Sequence, residues 1–285
     1  MVKRILDLVE DNAPSLDDYV PIDNSSPNTT RRTRVSDLLS AAGGGVFELY
    51  VATRTLLKAL DTTIAKSVVL TETGREGIFN WKTGDYSTQI TADTAEGVYL
   101  KADAIASTVG AWVRSFYGAA DIRWYGAVGD GTTDDTAPVD AAFASGWQLT
   151  GSGFEFAVTG DVSLPASLNL MDALFKLLTP NDASRRTLYG KAVSNITLRR
   201  VTVDRNGDGA GGGLATAAGI YISGGSGHLL EDCEVYGDDK GNGIAVLDAD
   251  DFDIIRPYVH DIKGGNSVHA VITDDVVQGI WLRGS

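Results

Sequence analysis

The chain has 285 residues, 43% of them hydrophobic, and a formal net charge of −14. This is enough apolar material for a sizeable core, while the acidic balance excludes a main role in nucleic-acid binding, which needs clustered Lys and Arg. No stretch approaches the ~18 consecutive apolar residues of a membrane span. The N-terminus also lacks the apolar segment of a secretory signal, so synthesis in the cytoplasm without membrane insertion is expected.

Residues 1–45 read as an extended arm, sparse in apolar residues and punctuated by Pro14, Pro21 and Pro27. The run Thr29–Val35 suits a short strand, and Ser36 caps a brief helical turn before Gly43–Gly45 breaks it. Such an arm is either a loose terminus or a docking segment ordered by a partner. Over 46–64, Leu49, Val51, Leu56, Leu57, Leu60 and Ile64 recur at helical spacing and predict a neck helix. Residues 66–118 carry short β-branched and aromatic runs at 68–70, 77–81, 97–100 and 110–114, the pattern of a compact β module. Ile122–Val128 is strand-like and 129–132 a turn. Thr133 or Asp134 then N-caps a helix running to about Ser145, with Val139, Ala142 and Phe143 on one face.

Beyond residue 150 the chain becomes repetitive. Gly219-Ile220-Tyr221-Ile222, Gly243-Ile244-Ala245-Val246 and Gly279-Ile280-Trp281-Leu282 are spaced by 24 and 36 residues. A second series, at Val201–Asp204, Cys233–Tyr236 and Pro257–His260, interleaves with it at spacings of 32 and 24. Two interleaved strand series predict a coil of stacked turns, with loops inserted at 206–218 and 263–277. Strand alternation turns Ile220, Ile222, Ile244, Val246, Val201, Val203, Cys233, Val235 and Val259 inward.

The stretch Arg123-Trp124-Tyr125-Gly126-Ala127-Val128-Gly129-Asp130-Gly131-Thr132-Thr133-Asp134-Asp135-Thr136 closely resembles the opening of the pectate-lyase-like, right-handed parallel β-helix superfamily found in phage tail spikes. The resemblance implies that the helix at 133–145 plugs the open end of the coil, and that Asp130, Thr133, Asp134 and Asp135 are structural. Thr73–Trp81 with Gly110–Arg114 resembles the small β module that precedes the coil in such spikes. Tyr19–Asp23 with Arg31–Leu39 resembles their virion-attachment arm. The organisation implied is a docking arm over 1–45, a neck helix and β connector over 46–120, and the start of a β-helix over 121–285. The chain stops within a recognisable rung at Trp281–Ser285, so further rungs in a longer protein are expected. The resemblance also implies a homotrimer in the virion, docked on a tail or baseplate protein and directed at bacterial surface polysaccharide.

The acids concentrate where the repeats lie: between Asp204 and Asp275 there are fourteen acids and four bases. Glycoside hydrolysis needs two carboxyl groups, one to protonate the leaving oxygen and one to activate water or attack carbon. The outward column of the second series makes Glu234 and Asp204 the first pair, with Glu231, Asp232, Asp238, Asp239 and Asp248 as close rivals. The plain alternative is that these acids only solvate the surface. Outward aromatics Tyr221, Trp281, Tyr236 and Tyr258 are candidate sugar-stacking residues. A lyase would need a basic residue and commonly a cation held by acids. The Asp248–Asp253 run lacks EF-hand spacing, and the three histidines and the lone Cys233 make no zinc pattern, so neither metal nor cofactor is expected. The rival readings are a non-enzymatic glycan-binding or structural fibre and a bacterial polysaccharide lyase.

Overall fold

The computed structural model describes residues 19–22, 31–34, 49–179, 186–207, 217–237, 242–262 and 280–283. Two compact units are present, Met1–Leu49 and Tyr50–Ser285. In the first, β1 (Tyr19–Ile22) pairs antiparallel with β2 (Arg31–Arg34), Tyr19 opposite Arg34. The helical turn expected at 37–40 lies outside the described residues.

The strands of the β module are β3 (Leu49–Val51), β4 (Ser67–Leu70), β5 (Gly77–Thr83), β6 (Tyr99–Leu100) and β7 (Gly110–Ser115). They form one sheet in the order β3-β4-β5-β7-β6. The expected runs at 68–70, 77–81, 97–100 and 110–114 all fall on or overlap these strands, and a short helix, Ser87–Ala92, joins β5 to β6. Val68, Leu70, Phe79, Leu100 and Trp112 form the module's buried core, and Trp81 meets Trp112 edge-on at 5.5 Å. The single helix expected over 46–64 is not formed. Leu49–Val51 is a strand, and only Arg54–Lys58 is helical, N-capped by the Thr53 hydroxyl, which accepts from the Leu56 N–H. Only Leu57 of that helix is buried. Asp61 then accepts from the Thr63 N–H and hydroxyl, which turns the chain away.

Two buried arginines fasten this module to the segment around Trp124. Arg114 donates to the carbonyls of Gly97, Glu76 and Arg75, and its guanidinium lies over the rings of Phe79 and Trp124 at 4.5 and 4.3 Å. Arg75 donates to the carbonyls of Ala95 and Trp124. Burial pushes both guanidinium pKa values down to about 10, which leaves them charged at neutral pH. Gly77 makes room: a Cβ there would stand 2.3 Å from an Arg114 guanidinium nitrogen.

After β8 (Ala120–Asp121) the expected strand 122–128 is instead a 3-10 turn, Ile122–Tyr125. The Asp121 carboxylate causes it by accepting from the Arg123 backbone N–H and side chain, and Gly126 at φ +109° ends it. The expected turn at 129–132 is part of a strand, β9 (Asp130–Asp134), which leads into the capping helix Thr136–Ala144. Asp130 accepts from the Thr132 and Thr133 N–H groups, which holds its carboxyl far below the usual range. The Asp134 carboxylate takes the Thr136 N–H, while buried Asp135 takes those of Val128 and Gly129. Val139, Ala142 and Phe143 are buried over the coil's interior, Phe143 meeting Phe175 at 6.1 Å.

The remainder is a parallel coil. One ladder comprises β12 (Val162–Ser163), β14 (Arg186–Lys191), β16 (Ala218–Ser223), β19 (Asn242–Leu247) and β22 (Ile280–Arg283). It places Leu188, Ile220, Ile244 and Ile280 in one register column. The other sheet contains β8, β9, β10 (Leu149–Thr150), β11 (Glu155–Val158), β13 (Asn169–Leu177), β15 (Thr197–Asp204), β17 (Ser226–Glu231), β18 (Glu234–Tyr236), β20 (Asp250–Ile255) and β21 (Tyr258–His260). Within it Leu149, Leu170, Leu198, Leu230 and Ile254 stack, as do Phe156, Phe175, Val203, Val235 and Val259. Adjacent rungs are thus in register at about 4.8 Å. The chain is mainly β, and this half is a parallel β-helix whose interior is the column of apolar side chains. Of the loops expected at 206–218 and 263–277, residues 208–216 and 263–277 lie outside the described residues, and Ala218 already belongs to β16.

Candidate functional site

Strand alternation along β15, β18 and β21 turns every second side chain out of the coil, and register sets those side chains side by side. One outward column runs Glu155, Leu174, Thr202, Glu234 and Tyr258; its neighbour runs Ala157, Lys176, Asp204, Tyr236 and His260. Glu234 is the centre of a connected group. The Thr202 hydroxyl donates to its Oε2 at 3.3 Å, and its Oε1 lies 3.1 Å from His260 Nε2. His260 Nδ1 in turn lies 2.8 Å from the Asp261 carboxylate. The imidazole stacks with two phenol rings, 5.2 Å from Tyr236 and 4.4 Å from Tyr258. Burial disfavours the charged imidazole, but hydrogen bonds to Asp261 and Glu234 outweigh it and raise its pKa above the ordinary value.

Asp204 stands one rung from Glu234 and two residues along, a Cα separation of roughly 8 Å from strand geometry. Its carboxylate accepts from the Asn206 N–H. Burial raises the Tyr236 phenol pKa, and the charges of Asp204, Glu155 and Glu234 add to the shift. The expected pair, Glu234 and Asp204, is therefore brought onto one face with Tyr236 and Tyr258, and Tyr258 is 60% exposed. Sequence alone does not single out His260, Asp261 or Glu155 as site residues, although His260 lies two residues after Tyr258 on one strand and alternation puts both on the same face.

The rival acids have other partners. Glu231 is paired with Arg199 and Arg256, and Asp232 with Arg256 at 2.6 Å. Asp232 belongs to a corner where one residue per rung takes a left-handed backbone: Asp172, Arg200, Asp232 and Arg256, at φ of 49° to 53°. Their charges alternate, and Arg200 grips Asp172 with two hydrogen bonds. The hydrogen bonds from Arg256 hold the Asp232 carboxyl below its ordinary pKa. Its stabilising effect is thus present above pH 3.8 and lost as pH falls through the lowered value. Asp232→Asn is expected to lower the melting temperature slightly, with the loss shrinking in high salt, as differential scanning fluorimetry would report. Asp248 lies on another left-handed corner, exposed, at φ 51°. Asp238 and Asp239 lie outside the described residues.

Tyr221 is corrected most. It points away from the coil's interior as expected, yet it is only 9% exposed, packed with Tyr189, Ala218, Ala245 and Leu247. The Arg186 guanidinium lies over both tyrosine rings, so the Tyr221 ring is covered where an open sugar platform was expected. Trp281 pairs with Ala245 in the ladder, and its side chain lies outside the described residues. Cys233 is buried and its thiol pKa is pushed up to about 11 by burial, in keeping with a packing role. Among the described residues no three His, Cys, Asp or Glu side chains cluster as metal ligands. No helix there is long and apolar enough to cross a membrane.

No known protein family matches the chain, and no curated protein does. Among solved structures it is similar to the enzymatically active domain of tailspike protein 2 of bacteriophage CBA120. The identity is 14% and the TM-score 0.38, over 77% of this chain and 36% of that one. It is also similar to the tailspike protein of Acinetobacter baumannii phage AM24, at 15% identity and TM-score 0.36, over 73% of this chain and 42% of that one. The chain spans less than half the length of either structure.

Proposed function

We propose that the chain is part of a phage tail spike that attaches the virion to its host and depolymerises a capsular or lipopolysaccharide glycan. The observation that carries the reading is the outward face of β15, β18 and β21, where two carboxyl groups and two tyrosine rings share one register patch. Rings of this kind stack on the C–H faces of sugars, and a carboxyl pair is the minimum equipment for glycosidic hydrolysis. The capped parallel coil and the sequence resemblance of residues 123–136 support the spike assignment. In this reading residues 1–45 dock on a tail or baseplate protein, residues 46–120 connect, and three copies assemble in the virion.

The test is incubation of the purified full chain with host capsule and lipopolysaccharide, following reducing ends and unsaturated-uronate absorbance. Glu234→Gln is expected to lower hydrolysis by about 10³-fold or more and Asp204→Asn by a similar factor, with binding retained. Release of unsaturated uronate would replace hydrolysis by elimination. Binding without release of either product would favour the non-enzymatic fibre. That second reading has its own support, since Glu234 is hydrogen-bonded on both oxygens.

A further inference from the structure

Both ring nitrogens of His260 face carboxylates, Asp261 at 2.8 Å and Glu234 at 3.1 Å. A neutral imidazole has one N–H and satisfies one such acceptor, whereas an imidazolium donates to both. The groups facing the ring are Glu234 and Tyr236 from β18, with Tyr258 and Asp261 from its own strand and corner. All of these favour positive charge on the ring: a carboxylate at each ring nitrogen and two phenol rings stacked with it.

We infer that His260 is a positioning residue which, as an imidazolium, holds Glu234 as an ionised carboxylate against the ring stack and so makes Glu234 the base or nucleophile of the face. This rests on the glycan-site reading above. Glu234 Oε1 accepts a hydrogen bond from the imidazolium N–H and Oε2 one from the Thr202 hydroxyl, so both oxygens act as acceptors and neither serves as a proton donor. Protonation of the leaving oxygen then falls to the neighbouring acid, Asp204, one rung away. The raised pKa of His260 sets the pH sense. Its contribution is complete below the ordinary value of 6.5 and is lost as pH rises through the raised one.

The direct test is an NMR titration of the full chain, following the His260 ring C–H signals in wild type, Glu234→Gln and Asp261→Asn. Only three histidines are present, so His260→Gln assigns the signal. Asp261 is 76% exposed and sits at φ 51°, a conformation asparagine adopts readily, so Asp261→Asn preserves the fold. The wild-type midpoint is expected above 6.5 and lower in both variants. A wild-type midpoint at or below 6.5, or one that neither variant moves, overturns the inference. This result stands whether or not a glycan is cleaved, so failure of the glycan reading is distinguishable from failure of the His260 role. With a neutral host capsular polysaccharide as probe, His260→Gln keeps a donor towards Glu234 and is expected to retain more turnover than His260→Ala at similar KM. The alkaline limb of the rate profile is expected to move to lower pH in Asp261→Asn. Equal losses in the two His260 variants, with an unmoved limb, would also overturn it.

Discussion

Arg114→Ala is expected to destabilise the protein by about 3–4 kcal/mol, read as a lowered urea midpoint by tryptophan fluorescence. The side chain is 3% exposed. Its removal takes the donor from three carbonyls, of which those of Arg75 and Gly97 are buried. It also opens a cavity between the Phe79 and Trp124 rings, where the guanidinium lies at 4.5 and 4.3 Å. Arg114→Lys is expected to fall between, because an ammonium keeps the charge but cannot reach three divergent acceptors with a planar fork. A loss under about 1 kcal/mol for the alanine variant would show that this junction between module and coil is not held by the guanidinium.

Gly225→Ala is expected to cost at least about 3 kcal/mol and to disturb the rung on either side. Gly225 has φ +79°, and a Cβ there would stand 1.7 Å from the Val193 carbonyl oxygen of the preceding rung. That atom is backbone within a stacked corner and cannot swing away, so the rung spacing itself must yield. The adjacent Gly224 is the control. It has φ +70°, but its nearest neighbour to a Cβ is 3.7 Å away, so Gly224→Ala carries only the left-handed penalty of about 1 kcal/mol. Equal melting temperatures for the two variants would contradict the close stacking of these corners.

The coil was legible because apolar periodicity is strong where side chains are buried on a repeating strand. Ile220, Ile244 and Ile280 stack as their Gly-Ile motifs implied, and so do Val203, Val235 and Val259. The same alternation brought Glu234, Asp204, Tyr236 and Tyr258 to one face. What escaped depended on local side-chain chemistry or on tertiary cover. Helical spacing over 46–64 was overridden by the strand at Leu49–Val51 and the Asp61 turn. The strand pattern at 122–128 was overridden by the Asp121 carboxylate folding back on Arg123. Arg200 and Arg256 carry no intrinsic left-handed preference, so the charged corner that occupies Asp232 was invisible until the rungs were stacked. Tyr221 was correctly turned outward, but alternation says nothing about what packs on the outer surface, where Tyr189 and Arg186 cover it.

The most direct measurement of the central claim is hydrogen–deuterium exchange on the full chain with and without host polysaccharide. Protection concentrated at 202–204, 234–236 and 258–261, retained in Glu234→Gln and lost in Tyr258→Ala, is the expected result if the glycan lies on this face. Protection confined to the β12–β14–β16–β19 ladder, or to the β module, would place the glycan elsewhere and contradict it.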